Sequence, residues 1–164
     1  MRAARPRDFA DIRVVHERAF APSRQEADIV EALRASRAQV PSLCLVALLG
    51  DAVVGHIAFS RAHLDPVGEV LVLGPVGVLP QYQRQGFGSA LVLEGLKRAA
   101  GTEFSMVVLV GHPEYYPRFG FEPAGILGVT APIEIPSDAW MAYRLPAYRP
   151  TAPGKVIFPA AFGM

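Results

Sequence analysis

"VGVLPQYQRQGFGSALVLEGLKRAA" (residues 76–100) passes from a β-branched run, through a polar turn bearing Gly86 and Gly88, into a helix. Glu94, Lys97 and Arg98 share one arc of the helical wheel, and Val92, Leu93, Leu96, Ala99 and Ala100 share the opposite arc. The segment from Gly86 therefore reads as an amphipathic helix, closed by Gly101 at the position after its cap. Two glycines at a helix start allow backbone N–H groups to approach an anion closely. The nucleotide-binding spellings do not fit. Ser89-Ala90 stands where a P-loop has Lys followed by Ser or Thr, and Leu91 stands where a dinucleotide fingerprint has its third glycine.

"EVLVLGPVGVL" (69–79) leads into this turn as a long strand, and "SMVVLVG" (105–111) follows the helix as a short apolar strand of the kind buried on both faces. Strand, helix and strand make a βαβ unit, so the two strands should run parallel. Pro75 lies inside the first of them and removes a ladder donor, which predicts a bulge or a local end of pairing. Upstream, Asp8 is expected to cap a first helix with Phe9, Ile12, Val15 and Ala19 on one face, ended by Pro22-Ser23. A second helix near 25–37 has Ile29, Val30 and Leu33 as its apolar side. Residues 43–49 and 52–60 read as two strands joined by a turn at Gly50-Asp51. "HPEYYPRFGF" (112–121) reads as one helical turn stopped by Gly120. Six prolines between Pro132 and Pro159 make 122–164 the turn-rich end of what is expected to be a single domain over 1–164.

Composition bounds the function. A chain of 164 residues, 51% hydrophobic and 19% charged, is long and apolar enough for a real core. A net charge of +1 gives no footprint for a nucleic-acid partner. No apolar run reaches the roughly 18 residues of a membrane span, and "MRAARPRDF" lacks the apolar core of a signal peptide. Cys44 is the only cysteine, so no internal disulfide can form and a cytoplasmic location fits. Within "SLCLVALL" it reads as a small core hydrophobe rather than a nucleophile. Trp140, Tyr143, Tyr148, Phe158 and Phe162 give the tail an aromatic character that would suit a homodimer surface.

Turn, strand and "YYPRFGF", taken in order, resemble the GNAT superfamily of acyl-CoA-dependent N-acetyltransferases. The family signature [QR]-x-x-G-x-[GA] is matched by Gln83, Gly86 and Gly88, after a strand ending V-x-P at Val78, Leu79 and Pro80. The family's L-Y-x-x-x-G-F segment is matched by Tyr116, Gly120 and Phe121, with Tyr115 replacing the usual apolar residue. The N-terminal helix pair and "GDAVVGHIAFS" are similar to the family's opening half, so the resemblance covers about residues 1–121. The tail, with "APIEIPSDAWMAYRL", resembles a bacterial subgroup of mostly unassigned substrate.

The resemblance implies an α/β fold: a twisted mixed sheet with splayed central parallel strands and helices on both faces. It implies acetyl-CoA as co-substrate and no metal, because no phosphoryl group is transferred. The pyrophosphate of coenzyme A would be held by N–H groups across Gln83, Arg84, Gln85, Gly86, Phe87, Gly88 and Ser89. The pantetheine arm would lie along Val76, Gly77 and Val78, pairing like an extra strand with the backbone of Val76 and Val78. The acceptor would be a small-molecule amine or a protein amine, acetylated by direct attack. Two readings compete: a non-catalytic acyl-CoA-binding or sensor module on the same fold, and a nucleotide-binding α/β domain, which lacks the motif spellings.

Acetyl transfer to an amine makes three demands. An alkyl amine with a lysine-like pKa of about 10.4 must lose its proton, which calls for a general base. Glu69 at the start of the central strand, His56 on its neighbour, His112 after the parallel strand, or a water chain are the alternatives. The tetrahedral oxyanion needs a donor, for which the family points to the backbone N–H of Val78. The departing thiolate needs a proton, for which it points to Tyr116. Acceptor choice is expected to rest on the first helix pair, the 61–68 loop and the tail.

Overall fold

The computed structural model describes all 164 residues. In chain order the elements are β1 (Arg2–Ala3), α1 (Phe9–Ala19), α2 (Gln25–Ala35), β2 (Leu45–Leu49), β3 (Ala52–Asp65), β4 (Gly68–Val78), α3 (Phe87–Ala99), β5 (Met106–Val110), β6 (Glu122–Pro123), β7 (Val129–Thr130), β8 (Trp140–Arg144) and β9 (Gly154–Ile157), with short 3₁₀ turns between them. The nine strands make one mixed sheet in the order β1-β2-β3-β4-β5-β8-β6, with β9 pairing to β3 and β7. The βαβ unit is present, and β4 runs parallel to β5.

Pro75 has the expected effect. Ile57 pairs with Val76 and Phe59 with Leu73, so Gly74 and Pro75 together face Ala58 alone. This is a bulge on β4. The parallel ladder reaches only Leu71 with Val107 and Val72 with Val108. Past that point β4 keeps its antiparallel partner β3, β5 keeps β8, and the two central strands part.

The helices cover both faces of the sheet. A Cβ at Gly55 would meet Leu91 of α3, whereas one at Gly77 would meet His16 and Ala19 of α1. Under α3 lies the largest core cluster, which includes Phe59, Leu71, Leu91, Leu96, Val107 and Met141. Ile12, Val15, Val30, Val46 and Val53 join α1 and α2 to the opposite face. A third cluster, with Val70, Val72, Met106, Trp140 and Phe158, closes the end of the sheet away from the bulge.

Four sequence expectations need correction. Asp8 does not cap α1 with its side chain. Its carboxylate instead accepts from the Arg2 guanidinium at 2.6 and 3.0 Å and from the Arg5 N–H at 2.8 Å, closing the preceding turn. Leu93 is 56% exposed, and Leu91 and Gly95 take the buried stripe with Val92, Leu96 and Ala99. β3 continues to Asp65, with Ala62 and Leu64 buried and Arg61, His63 and Asp65 exposed. That alternation is the period-2 signature of a half-buried strand. The aromatic tail does not form an outer surface: Trp140 packs on Phe158 and Phe158 on Phe162, Trp140 and Phe158 are buried, and Tyr143 packs against the main core.

Gly95 lets α3 sit directly on the sheet, because a Cβ there would lie 2.5 Å from Cε2 of buried Phe59. Gly95→Ala should therefore destabilise the fold by about 1–3 kcal/mol through overpacking, although alanine is the better helix former. Denaturant unfolding measures this, and a variant as stable as the parent would contradict the close approach.

Candidate functional site

The parting of β4 and β5 opens a cleft of about 1070 Å³. Leu79 N–H donates to Val54 C=O at 2.9 Å, which makes residues 54 and 79 a hydrogen-bonded pair. By the alternation of an antiparallel ladder, Gly77 also turns its backbone groups to β3, while Val76 and Val78 turn theirs toward the gap. The side chain of Gln83 confirms the direction, donating from Nε2 to the Val78 carbonyl at 3.0 Å.

The turn after β4 is shaped by two left-handed residues. Arg84 has φ +61° and Gly86 φ +91°. Such residues turn successive N–H groups toward one side, and a non-glycine residue there is uncommon. Gly86 is the N-cap of α3, so the next N–H groups have no partner in the helix. Gly88 has ordinary φ, and a Cβ there would find only Val78 at 3.8 Å and the Tyr115 hydroxyl at 3.9 Å. Packing within the protein does not require a glycine at 88; its small size leaves room on the cleft side.

Of the residues expected to hold the cofactor, Val76, Gly77, Val78, Gln83, Arg84, Gly86, Gly88 and Ser89 line the cleft. Gln85 and Phe87 do not: Gln85 Nε2 donates to the Gln81 carbonyl at 3.2 Å, and Phe87 packs edge-on against Tyr82. His112, Pro113, Glu114, Tyr115 and Arg118 form the facing wall, and Ala19 and Phe20 at the end of α1 close one end. Residues 61–68 and the tail contribute nothing to the lining.

The catalytic expectations divide. Val78 is in place. Glu69 is not: it is exposed and pairs with His63 at the far end of β4, roughly 30 Å from Val78 at about 3.3 Å per strand residue. Tyr116 stands behind the cleft wall, half-buried, with its ring edge-on to Tyr115 and Phe121. It covers Gly111, where a Cβ would lie 2.5 Å from its Cε2. Burial pushes its pKa up to about 12. Tyr115 presents its hydroxyl to the cleft, 2.9 Å from Ser89 Oγ. Sequence reading passed over Tyr115 and Arg118 because the 3₁₀ turn at 116–119 has no helical or strand periodicity to show which side chain faces which way. Cys44 is buried in the core, and burial raises its thiol to about 11.

His56 is fully buried rather than half-buried, and it meets a residue the sequence reading had missed. His16 Nε2 lies 2.8 Å from His56 Nδ1. His16 Nδ1 has no partner, and the ring stacks on Phe20 with centroids 6.0 Å apart. Gly77 makes the space, since a Cβ there would lie 3.0 Å from that Nδ1. Burial lowers His16 to about 4 and His56 well below its ordinary value. The pair is thus neutral at pH 7 and sits behind the wall that Gly77, Ala19 and Phe20 give the cleft.

Residues 9–121 match the model of the acetyltransferase (GNAT) family. The uncharacterized N-acetyltransferase YjhQ of Escherichia coli K12 is 39% identical over 158 residues, which cover 91% of this chain and 86% of that protein. The solved structure of YhbS from Escherichia coli in complex with CoA superposes with a TM-score of 0.91 at 29% identity, covering 99% of this chain and 91% of that one. A GNAT acetyltransferase from Brucella melitensis in complex with acetyl-CoA gives a TM-score of 0.79 at 37% identity, covering 98% and 96%. The chain belongs to the GNAT acetyltransferase family. No helix is long and apolar enough to cross a membrane.

The histidine pair sets a pH dependence. The folded pKa of His16 is depressed from 6.5 to about 4, so as pH falls the unfolded chain takes up the proton first. Stability is complete above pH 6.5 and is lost as pH falls toward 4, by on the order of 3 kcal/mol from His16. Melts across that window should show the decline, and His16→Gln should reduce it by the His16 share, His56 keeping its own. An NMR titration with a His16 midpoint near 6.5 would overturn the assignment.

Proposed function

We propose that the cleft binds acetyl-CoA, with the pantetheine arm between β4 and β5 and the pyrophosphate at the start of α3, and that the thioester acetylates an amine by direct attack. The observation that carries this reading is the pairing gap. Val76 offers its N–H and C=O, and Val78 its N–H, to a space that no protein strand fills; the Val78 carbonyl already accepts from Gln83 Nε2. Buried backbone groups need partners, and an arm containing amides would supply them as an added strand. The gap leads to the N–H groups at the turn and the positive end of the α3 dipole, which suit an anion. The CoA and acetyl-CoA complexes of the two similar structures support the same reading. Residues 1–164 act in it as one catalytic unit, since β8 and β9 of the tail are strands of the same sheet. Buried, free Cys44 suits a reducing, cytoplasmic setting.

In this mechanism the neutral amine attacks the thioester carbonyl. A C–N bond forms while the carbonyl oxygen gathers charge beside the Val78 N–H. Collapse breaks the C–S bond, coenzyme A leaves as thiolate, and the nitrogen gives up a proton. His112 is the residue we assign to that proton, directly or through water, because it lines the cleft where Glu69 and His56 do not. Tyr116 serves the thiolate. Its pKa of about 12 keeps it protonated. A thiol of pKa about 8.5 is the stronger acid, so Tyr116 acts by hydrogen-bonding the departing sulfur through water, from behind the wall that Tyr115 forms. The acceptor is a small-molecule or protein amine that passes Ala19 and Phe20.

Thiol release from acetyl-CoA over a panel of amines tests the activity. Gly88→Glu should abolish CoA binding with the fold intact. Its Cβ meets only ordinary contacts, and an acidic residue in the first turn favours the helix, yet the carboxylate repels a pyrophosphate. Unchanged affinity by calorimetry would remove the turn from the binding site.

Tyr116→Phe should lower kcat by about tenfold or more, the scale of one hydrogen bond to a charged group, with little change in acetyl-CoA affinity. Full turnover in the folded variant would take Tyr116 out of the mechanism. His112→Asn should lower kcat/KM and remove a limb of its pH profile; an unaltered profile leaves water as the base.

A further inference from the structure

Two cations line the cleft, Arg84 and Arg118, with Glu114 its only carboxylate. Neither arginine has a carboxylate oxygen within 4.0 Å, although Arg2, Arg13, Arg98 and Arg144 all do. Arg84 sits in the turn at the start of α3, beside the free N–H groups, on the wall where a pyrophosphate would be met. Arg118 lies on the opposite wall and is held there. Its Nε donates to the Tyr115 carbonyl at 2.9 Å, and its guanidinium carbon lies 4.5 Å from the centre of the Tyr115 ring. Tyr115 is itself tied to α3 through Ser89 Oγ at 2.9 Å. The two terminal nitrogens of Arg118 make no hydrogen bond within the protein.

An arginine fixed through Nε and its ring contact, with its fork free, matches a phosphate better than a mobile surface charge does. The pyrophosphate is already met by the turn and Arg84. Coenzyme A carries one further anionic group, the 3′-phosphate of its ribose, with about −1.5 to −2 charge at pH 7 if it titrates as other phosphate monoesters do. We propose that Arg118 binds this 3′-phosphate and makes the protein selective for coenzyme A over its 3′-dephospho form. The inference rests on the acetyl-CoA reading above and adds a specificity residue to it.

The experiment is calorimetry of the parent protein, Arg118→Gln and Arg118→Lys with CoA and with dephospho-CoA, with melts on the same samples. Arg118 is exposed, so its replacement leaves the core untouched. The parent should bind CoA more tightly than dephospho-CoA by about tenfold or more, the scale of one hydrogen bond between charged groups. Arg118→Gln should bring CoA down to the dephospho-CoA level and leave dephospho-CoA affinity unchanged, with Arg118→Lys in between. A parent that binds the two ligands equally overturns the inference. So does equal weakening of both in Arg118→Gln, which would put Arg118 on the pyrophosphate. A parent that binds neither overturns the coenzyme A reading itself, and is distinct from both.

Discussion

The fold depends on one unmade set of hydrogen bonds. A parallel ladder between two central strands normally runs to their ends, because an unpaired backbone group inside a sheet is costly. Here the ladder stops after Val72 and Val108. Gly74 and Pro75 put two residues opposite one, and proline has no N–H to offer. Because β4 is bulged, its pairing with β3 resumes one residue out of step, which gives Val76 and Val78 their outward aim. The cleft, its strand-like edge and its end at the start of α3 all follow from this single irregularity.

The opposite face of the same strand is governed by burial of a different kind. Gly77 has no side chain, and the His16 ring occupies the room this leaves. His16 and His56 share a hydrogen bond that joins α1 to β3 directly behind Gly77 of β4. Being uncharged, the pair can be enclosed without a counter-ion, whereas a charged pair there would need one. The aliphatic contacts of Ile12 and Val15 seat α1 on the sheet. The imidazoles add a directional contact that fixes where its last residues, Ala19 and Phe20, meet the cleft.

Much of this was legible in the sequence. The βαβ unit could be read because the apolar periodicity of 86–100 is strong and the flanking strands are almost wholly apolar. Pro75 named the bulge, and Gly86 with Gly88 named the turn that opens α3. What could not be read was anything that depends on which side chains meet across distant segments. Glu69 looked like a strand-end base until the length of β4 put it at the far end of the molecule. His16 stood on the inner face of a helix among aliphatic residues, and only the register of β3 brings His56 against it. Tyr115 and Tyr116 are neighbours at the start of a short 3₁₀ turn, where one residue's shift reverses which ring faces the cleft. The tail was the least legible. Its strands are two to five residues long; β8 and β9 pair with β5 and β3, far earlier in the chain, and β6 and β7 pair only with β8 and β9.

That tail has a mechanical consequence. From one continuous stretch, β8 attaches to β5 on one side of the opening and β9 attaches to the end of β3 on the other. Trp140, Val156 and Phe158 pack together with Val70, Val72, Met106 and Val108 where the central strands are still joined. The molecule is therefore built like a clothes-peg: β4 and β5 are its jaws, and residues 140–158 bind the two arms at the pivot. The packing at the pivot lies away from every residue that lines the cleft. Changes in the tail would alter how wide the jaws stand without changing what lines them.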